Sequence, residues 1–423
     1  MLPRLAAIST FLVLLAGGPL PISAFSVLSH EAIIDSAWER NVKPLLLKRF
    51  PDATPDDLVK AHAHAYGGCI LQDMGYYPFG SKFFSNLVHY VRSGDFVMAM
   101  IDEAQDLNEY AFALGTLAHY TADTEGHPEA VNLAVAIEYP KLAREFGPKV
   151  TYEQNPVAHL KVEFGFDVLE VAQGHFAPQS YRDFIGFQVS KPLLERAFRD
   201  CYALQLQDVF MSVDLALGTY RRTVSKLIPE STRIAWLLKK DEIVKMQPGV
   251  TSRKFIYNLS RASYEKEWGR DYKKPGIGAR ILAFFFRILP KIGPFKAAAF
   301  KAPTDKTAKL FMGSFNRTLD QYRKYLADVG ANRLQLPNRN FDTGEPTRPA
   351  DYGLADETYA KLARMLAKKD PNAINPKLRA NILEFYSKPG AKHSPKIKPK
   401  EWSDTLAAVE KLRAGITDSR PAQ

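Results

Sequence analysis

The chain has 423 residues, which is enough for two domains or for one large domain with a long appendage. Its two cysteines, Cys69 and Cys201, exclude a fold built on a disulfide framework. A bridge between them would need an oxidising compartment, and a lone buried cysteine is the commoner case. Residues 1–170 contain 12 Lys or Arg and 21 Asp or Glu, so this part is acidic. The positive charges that give the whole chain a net charge of +11 lie in residues 171–423. We expect cations to bind in the acidic part, and an anionic partner such as phospholipid headgroups or nucleic acid to bind the basic part.

The N-terminus predicts a secretory signal peptide over residues 1–24. Arg4 precedes an apolar run over 12–16, and small residues end the segment. We expect cleavage after Ala24, which makes Phe25 the first mature residue; an uncleaved anchor is the alternative. No later run reaches the roughly 18 apolar residues of a transmembrane helix. We therefore expect a secreted or periplasmic protein, either soluble or peripheral on a membrane.

Helical patterns follow one another from residue 29 to residue 171. Ser29 fits the N-cap of the first helix, and Thr54 fits the N-cap of the second. Strand signals are scarce throughout, with no convincing alternation of β-branched residues and no Asn-Gly hairpin. The sequence therefore predicts an all-α, multi-helix bundle.

The stretch over 109–127 carries the strongest pattern. As a helix it places His119, Asp123 and His127 four residues apart, so three metal-capable side chains share one face. Gly126 and Pro128 are expected to end this helix. Imidazole and carboxylate ligands suit zinc better than calcium or copper(I), but one helix cannot close a site around an ion.

Other segments supply candidate partners for that row. His30 lies in the first helix, Asp73 follows the second, and His89 lies in a short apolar segment. His159 and Glu163 are four residues apart in a later helix. Each alone has a bland explanation as a hydrogen-bonded core residue, but together they are costly to bury without a cation. His62, His64, His175 and His393 have no carboxylate at useful spacing and are expected to be structural or exposed.

The basic region beyond residue 235 gives weaker signals. Residues 280–301 interleave cations with phenylalanines and contain no acid, which suits the headgroup boundary of a membrane. A buried helix whose Lys and Arg reach out at its edges is the blander alternative. The tail after about residue 388 is expected to be flexible, with a short helix near 402–412. The candidate membrane contacts are Arg280, Phe284, Phe285, Phe286, Arg287 and Lys291.

The constellation resembles the superfamily of zinc-dependent phospholipases C and S1/P1 nucleases, and its bacterial phospholipase-like branch in particular. The resemblance rests on His119-Tyr-Thr-Ala-Asp123, on the turn over 72–80 and on the spacing from Phe25 to His30. Over roughly residues 25–170 it implies an all-helical exported enzyme with a trinuclear zinc cleft. Together with the patterns above, we expect the domains 1–24 (signal peptide), 25–235 (phospholipase C-like) and 236–423 (a basic, mostly helical C-terminal extension, possibly membrane-associating).

The resemblance further implies how up to three zinc ions would be shared. Asp123 would bridge two of them, and the backbone of Phe25 would serve as a ligand. Asp73 would also orient or deprotonate the attacking water. The implied ligand sets are Asp73, His89, His119 and Asp123; His127, His159 and Glu163; and Phe25, His30 and Asp123.

Three functions remain open from the sequence. The leading hypothesis is a zinc phosphodiesterase that acts on phospholipid headgroups, a phospholipase C. The rivals are an S1/P1-like nuclease acting on single strands and a membrane-associated zinc-binding protein with weak or no hydrolysis. Tyr76, Tyr77 and Phe79 are candidates to line the substrate pocket in either enzyme. The sequence indicates no protein partner.

Overall fold

A computed structural model describes residues 27–173, 187–222, 301–388 and 397–414, with a few further positions between 224 and 251. The predicted signal peptide and the proposed N-terminal ligand Phe25 lie outside the described residues. So do all six candidate membrane contacts between residues 280 and 291. Among the described residues, no helix is both long enough and apolar enough to cross a membrane.

The described residues form helices and no strand, which confirms the all-α prediction. A single isolated bridge pairs Arg339 with Pro346. Tighter 3₁₀ turns cover Leu71–Tyr76 and Pro371–Ala373, and wider π-helical turns cover Trp38–Val42 and His127–Val131. The α-helices are α1 (Val27–Ala37), α2 (Lys43–Arg49), α3 (Pro55–Gly68), α4 (Lys82–Tyr90), α5 (Ser93–Asp102), α6 (Leu107–Gly126), α7 (Asn132–Glu138), α8 (Pro140–Phe146), α9 (Pro156–Gln173), α10 (Lys191–Tyr202), α11 (Leu206–Val209), α12 (Val213–Arg222), α13 (Asp305–Gly330), α14 (Gly353–Leu366), α15 (Pro376–Ser387) and α16 (Pro399–Ala414).

Helix α6 lies at the centre of the bundle and is buried on almost every side. It packs against α3, α5 and α13. Two glycines allow the backbones of α3 and α6 to touch. A Cβ atom at Gly115 would lie 2.2 Å from the carbonyl oxygen of Ala65, and one at Gly68 would lie 2.0 Å from that of Phe112. The close approach therefore fixes where α6 can place its side chains relative to α3.

Local sequence explains where several helices begin. The predicted cap Thr54 accepts a hydrogen bond from the backbone N–H of Asp57, whose carboxylate in turn accepts from the backbone N–H of Thr54. This reciprocal pair is a capping box at the start of α3. Asp106 caps α6 with its side chain alone, which accepts from the backbone N–H of Glu109. Both caps satisfy backbone donors that a helix start leaves without partners.

The prediction that Ser29 caps the first helix is wrong, because Ser29 lies inside α1. Its hydroxyl donates to the carboxylate of Asp167, 2.9 Å away in α9. The backbone N–H groups of Leu28 and Ser29 donate to the same carboxylate at 3.2 Å. The capping acid thus comes from a helix distant in sequence, which no local pattern can show.

The helical path does not end at Gly126 and Pro128, as the sequence predicts. It continues through the π-helical turn His127–Val131 into α7. Proline has no N–H to donate, and a π-helical turn shifts the hydrogen-bonding register at that point. Here the backbone N–H of Asn132 donates to the carbonyl of His127.

Segments on both sides of residue 235 share one hydrophobic core. In α13, the Tyr322 hydroxyl donates to the Leu114 carbonyl of α6 at 3.0 Å, and α14 packs against α4. Helix α16 lies within the segment expected to be a flexible tail, and it buries Val409 and Leu412 near α14. The division at residue 235 stays a prediction. Cys69 and Cys201 are both buried and unpaired.

Candidate metal centre

Eight predicted ligand residues converge in the middle of the bundle, although they come from five separate parts of the chain. Each has an exposed fraction of at most 3%. They form three groups in which one nitrogen or oxygen atom from each residue lies within 4.8 Å of the others. The groups are His30, His119 and Asp123; Asp73, His89 and His119; and His127, His159 and Glu163.

Regular backbone structure places each of these side chains. The four-residue spacing on α6 puts His119 and Asp123 on one face, and the π-helical turn begins with His127. The 3₁₀ turn after α3 brings Asp73 to the same place. The remaining ligands come from three helices: His30 from α1, His89 from α4, and His159 with Glu163 from α9.

Asp123 lies at the centre of the arrangement. Its Oδ1 is 3.5 Å from His30 Nε2 and 3.7 Å from His127 Nε2. Its Oδ2 is 3.1 Å from His119 Nε2 and 3.5 Å from His89 Nε2. Because its two oxygens face different imidazoles, this carboxylate is placed to bridge two bound cations.

Two of the histidines are fixed by their outer nitrogens. His89 Nδ1 lies 2.7 Å from the Ser85 carbonyl, and His119 Nδ1 lies 2.9 Å from the Cys69 carbonyl. A carbonyl only accepts hydrogen bonds, so each Nδ1 carries the proton. Each Nε2 therefore points towards the acids and is the nitrogen that would bind a metal.

The third group is more compact. His159 Nε2 lies 2.6 Å from Glu163 Oε1, and His127 Nε2 lies 3.8 Å from the same oxygen. The other nitrogen of His127 faces Asp342 Oδ1 at 3.5 Å. Asp342 is buried and was not identified from the sequence, because it lies in a loop between α13 and α14 without a ligand spacing of its own.

Burial and charge shift the protonation of these groups in opposite directions. Burial alone would lower the pKa of His89, but the close carboxylates of Asp123 and Asp73 raise it to about 9. Burial would raise the pKa of Asp123, yet the imidazoles of His119 and His127 hold it well below its usual range. Burial raises the pKa of Glu163 well above its usual range. The buried carboxylates and imidazoles therefore shift each other's pKa values in opposite directions to burial at some positions and along with it at others.

The donor atoms fit a divalent cation. His89 Nε2, His119 Nε2, both oxygens of Asp123 and both oxygens of Glu163 are buried without a hydrogen-bond partner. Orphaned polar atoms of this kind are costly in a protein interior. A cation among them would satisfy the nitrogens and oxygens together, and imidazole with carboxylate is a ligand set that zinc accepts.

The observed groups are close to the sets implied by the family resemblance. They differ in two respects, since His119 belongs to two groups and Asp123 is grouped only with His30 and His119. Among the aromatic candidates, the ring centroid of Tyr76 lies 6.2 Å from that of His89. Tyr77 is buried against Tyr220, with ring centroids 5.0 Å apart. Phe79 is 43% exposed in the turn before α4.

Two further observations concern residues that sequence reasoning misjudged or missed. His62 has a carboxylate partner after all, since its Nε2 lies 3.0 Å from Oδ1 of Asp35 in α1, and it stacks on Trp38. Phe341 was missed because it lies in a loop. Its ring centroid is 5.0 Å from that of His89, and its backbone N–H donates to the His89 carbonyl at 3.1 Å.

Comparison with known proteins agrees with this site. Residues 29–211 match a family model described as zinc dependent phospholipase C, and all eight ligand candidates lie within that range. A search of curated proteins and a search of solved structures found no match. Over residues 29–211, the chain is thus similar to the zinc-dependent phospholipase C family.

Proposed function

We propose that the protein is a phospholipase C that hydrolyses phospholipids with bound zinc and releases phosphorylated headgroups. One observation carries this proposal: three groups of buried nitrogen and oxygen ligands lie together inside the range that matches the family, and both oxygens of Asp123 and of Glu163 among them have no hydrogen-bond partner. The family match supports zinc-dependent hydrolysis of the phospholipase type in general. The position of the cleaved bond and the identity of the phosphodiester substrate go beyond that match and are part of our proposal.

The chemistry requires charge neutralisation and a proton acceptor. Bound zinc supplies positive charge for an anionic phosphodiester and lowers the pKa of a coordinated water. We assign the proton acceptor to Asp73, whose buried Oδ1 has no hydrogen-bond partner. This oxygen lies 3.3 Å from His89 Nε2 and 4.0 Å from His119 Nε2. Both imidazoles are fixed by backbone carbonyls, so the surroundings of this oxygen are set by the fold.

Export and membrane contact complete the proposal. The N-terminal pattern over 1–24 supports export to the periplasm or the medium, with Phe25 as the first mature residue and a backbone ligand. The cationic and aromatic pattern over 280–291 supports contact with a lipid surface. Intact mass of the exported protein would test the cleavage site directly.

The test is to incubate the zinc-loaded mature protein with phosphatidylcholine vesicles and, in parallel, with single-stranded DNA. The proposal predicts release of phosphorylated headgroup, and Asp73→Asn should lower it by at least about 100-fold because a proton acceptor is lost. Asp56→Asn is the matched control, since Asp56 is exposed in the first turn of α3. It should retain full activity.

Zinc content is measured for each variant, because Asp73 is also a candidate ligand. A loss of hydrolysis with zinc retained assigns the proton transfer to Asp73, whereas a parallel loss of zinc assigns it a ligand role. Release of nucleotides without headgroup release would replace the proposal with a nuclease. Hydrolysis of neither substrate by the zinc-loaded protein would leave a zinc-binding protein and contradict the proposal.

A further inference from the structure

The metal centre is completed by a loop outside the range that matches the family. Residues 331–352, here called the C-terminal loop, connect α13 to α14. Hydrogen bonds attach this loop to the end of α4 and the start of α5. Arg339 N–H donates to Ser93 Oγ at 3.0 Å, and the Thr347 hydroxyl donates to the Tyr90 carbonyl at 2.8 Å. The loop is therefore held against the helices that carry the ligands.

Asp342 is the acidic residue that this loop brings to the centre, and its exposed fraction is 1%. Its Oδ2 accepts hydrogen bonds from the Tyr352 hydroxyl at 2.7 Å and from the Tyr152 backbone N–H at 2.8 Å. Its Oδ1 has no such donor and faces His127 Nδ1 at 3.5 Å, the outer limit of a hydrogen bond. Oδ2 is therefore held by two donors, and Oδ1 is the oxygen that faces His127.

We propose that Asp342 is a positioning residue of the metal centre, which holds the proton of His127 on Nδ1 and leaves the Nε2 lone pair facing Glu163. This inference rests on the proposed zinc-dependent function. An ionised carboxylate accepts hydrogen bonds but cannot donate one, so it selects the imidazole tautomer whose proton is on the nitrogen that faces it. Outer partners of this kind orient a ligating histidine and make it a better ligand.

The chemistry of the Asn substitution makes the inference testable. At the Oδ2 position the side chain must present an acceptor, because the Tyr152 N–H and the Tyr352 hydroxyl both donate there. An amide in Asp342→Asn would therefore keep its oxygen at that position and turn its NH₂ group towards His127. A donor facing Nδ1 favours the opposite tautomer, in which Nε2 carries a proton and cannot bind zinc.

The experiment uses the zinc-free mature full-length chain, titrated with zinc against a colorimetric chelator of known affinity. Asp342→Asn should weaken one zinc-binding step by about 10–100-fold and leave the others unchanged. Asp351→Asn is the matched control, because Asp351 is an exposed acid in the same loop. Tyr352→Phe removes a donor to Oδ2 but leaves Oδ1 facing His127, so it should bind zinc nearly as the natural chain does.

Two results would overturn the inference. One is unchanged zinc affinity in Asp342→Asn. The other is an equal loss in Tyr352→Phe, because general loosening of the loop would then explain both variants. A natural chain that binds no zinc would instead contradict the proposed function, which keeps the two failures distinct.

A second measurement uses the natural chain, so it does not depend on whether Asp342→Asn folds. Nitrogen-15 spectra of the zinc-loaded natural chain, labelled at histidine, should show His127 protonated on Nδ1. A proton on Nε2 would contradict the role of Asp342 even if Asp342→Asn failed to fold.

Discussion

At the scale of single residues, Asp123 is the carboxylate that lies close to several imidazoles of the centre. Each of its oxygens faces two imidazoles, and both oxygens are buried without a hydrogen-bond partner. An uncompensated carboxylate in such a place would be strongly destabilising. Its pKa stays well below the usual range because the imidazoles of His119 and His127 outweigh burial. Asp123 is therefore ionised and ready to bind a cation.

Removing this charge should affect more than one zinc ion. Asp123→Asn keeps the volume of the side chain but halves its acceptor capacity, so we expect the zinc content to fall by at least two ions per chain. Metal analysis of the dialysed protein measures this. Asp102→Asn is the control, because Asp102 is exposed at the end of α5. Loss of a single ion would argue against bridging by Asp123.

At this scale the sequence predicted which candidate ligands lie together, because helical spacing alone places His119 with Asp123 and His159 with Glu163 on shared faces. It could not predict Asp342, whose contact with His127 depends on how a loop folds back. It also misjudged Ser29, because the carboxylate that caps α1 comes from Asp167 in another helix. Contacts between residues far apart in sequence leave no local pattern.

At the scale of elements, the approach of α3 to α6 positions the ligand row. Gly68 and Gly115 remove the side chains that would separate the two backbones. Because α6 carries His119 and Asp123, a change in this spacing moves ligands as well as core atoms.

Gly115→Ala should therefore destabilise the protein by about 1–3 kcal/mol, since its new methyl group would overlap the Ala65 carbonyl. Denaturant unfolding measures the change, and zinc affinity should fall with it. Gly218→Ala is the matched control, because a Cβ there meets no atom within 4 Å in α12. That variant should be neutral or gain up to about 1 kcal/mol from helix propensity. Equal effects of the two substitutions would contradict the close-approach argument.

The first turn of α14 gives a pH-dependent prediction. Burial raises the pKa of Asp356 to about 6, although its carboxylate accepts a hydrogen bond from the Ala350 N–H. An unfolded aspartate titrates near pH 3.9, so the folded state binds more protons between roughly pH 4 and pH 6. The contribution of Asp356 to stability is thus fully present below about pH 4 and is lost as pH rises through 6.

Asp356→Asn removes this titration. Relative to the natural chain, the variant should gain roughly 1–2 kcal/mol of unfolding free energy between pH 4 and pH 7, because solvent screens part of the effect at this carboxylate. Urea unfolding at the two pH values measures it. A difference between variant and natural chain that does not change with pH would contradict the raised pKa.

At the scale of the whole molecule, the basic region contributes directly to the acidic core. Helix α13 packs on α6, and the C-terminal loop reaches both His89 and His127. The charge asymmetry predicted where cations would bind. It could not show that residues beyond 300 help to enclose that place, because packing of a helix pair depends on complementary shapes rather than on composition.

Anomalous diffraction at the zinc edge, from crystals of the zinc-saturated mature protein, tests directly whether the buried groups hold metal. We predict peaks inside the three ligand groups, with two of them flanking Asp123 and one between His127, His159 and Glu163. Crystals that grow in saturating zinc and show no peak among these residues would contradict a zinc-dependent hydrolytic centre.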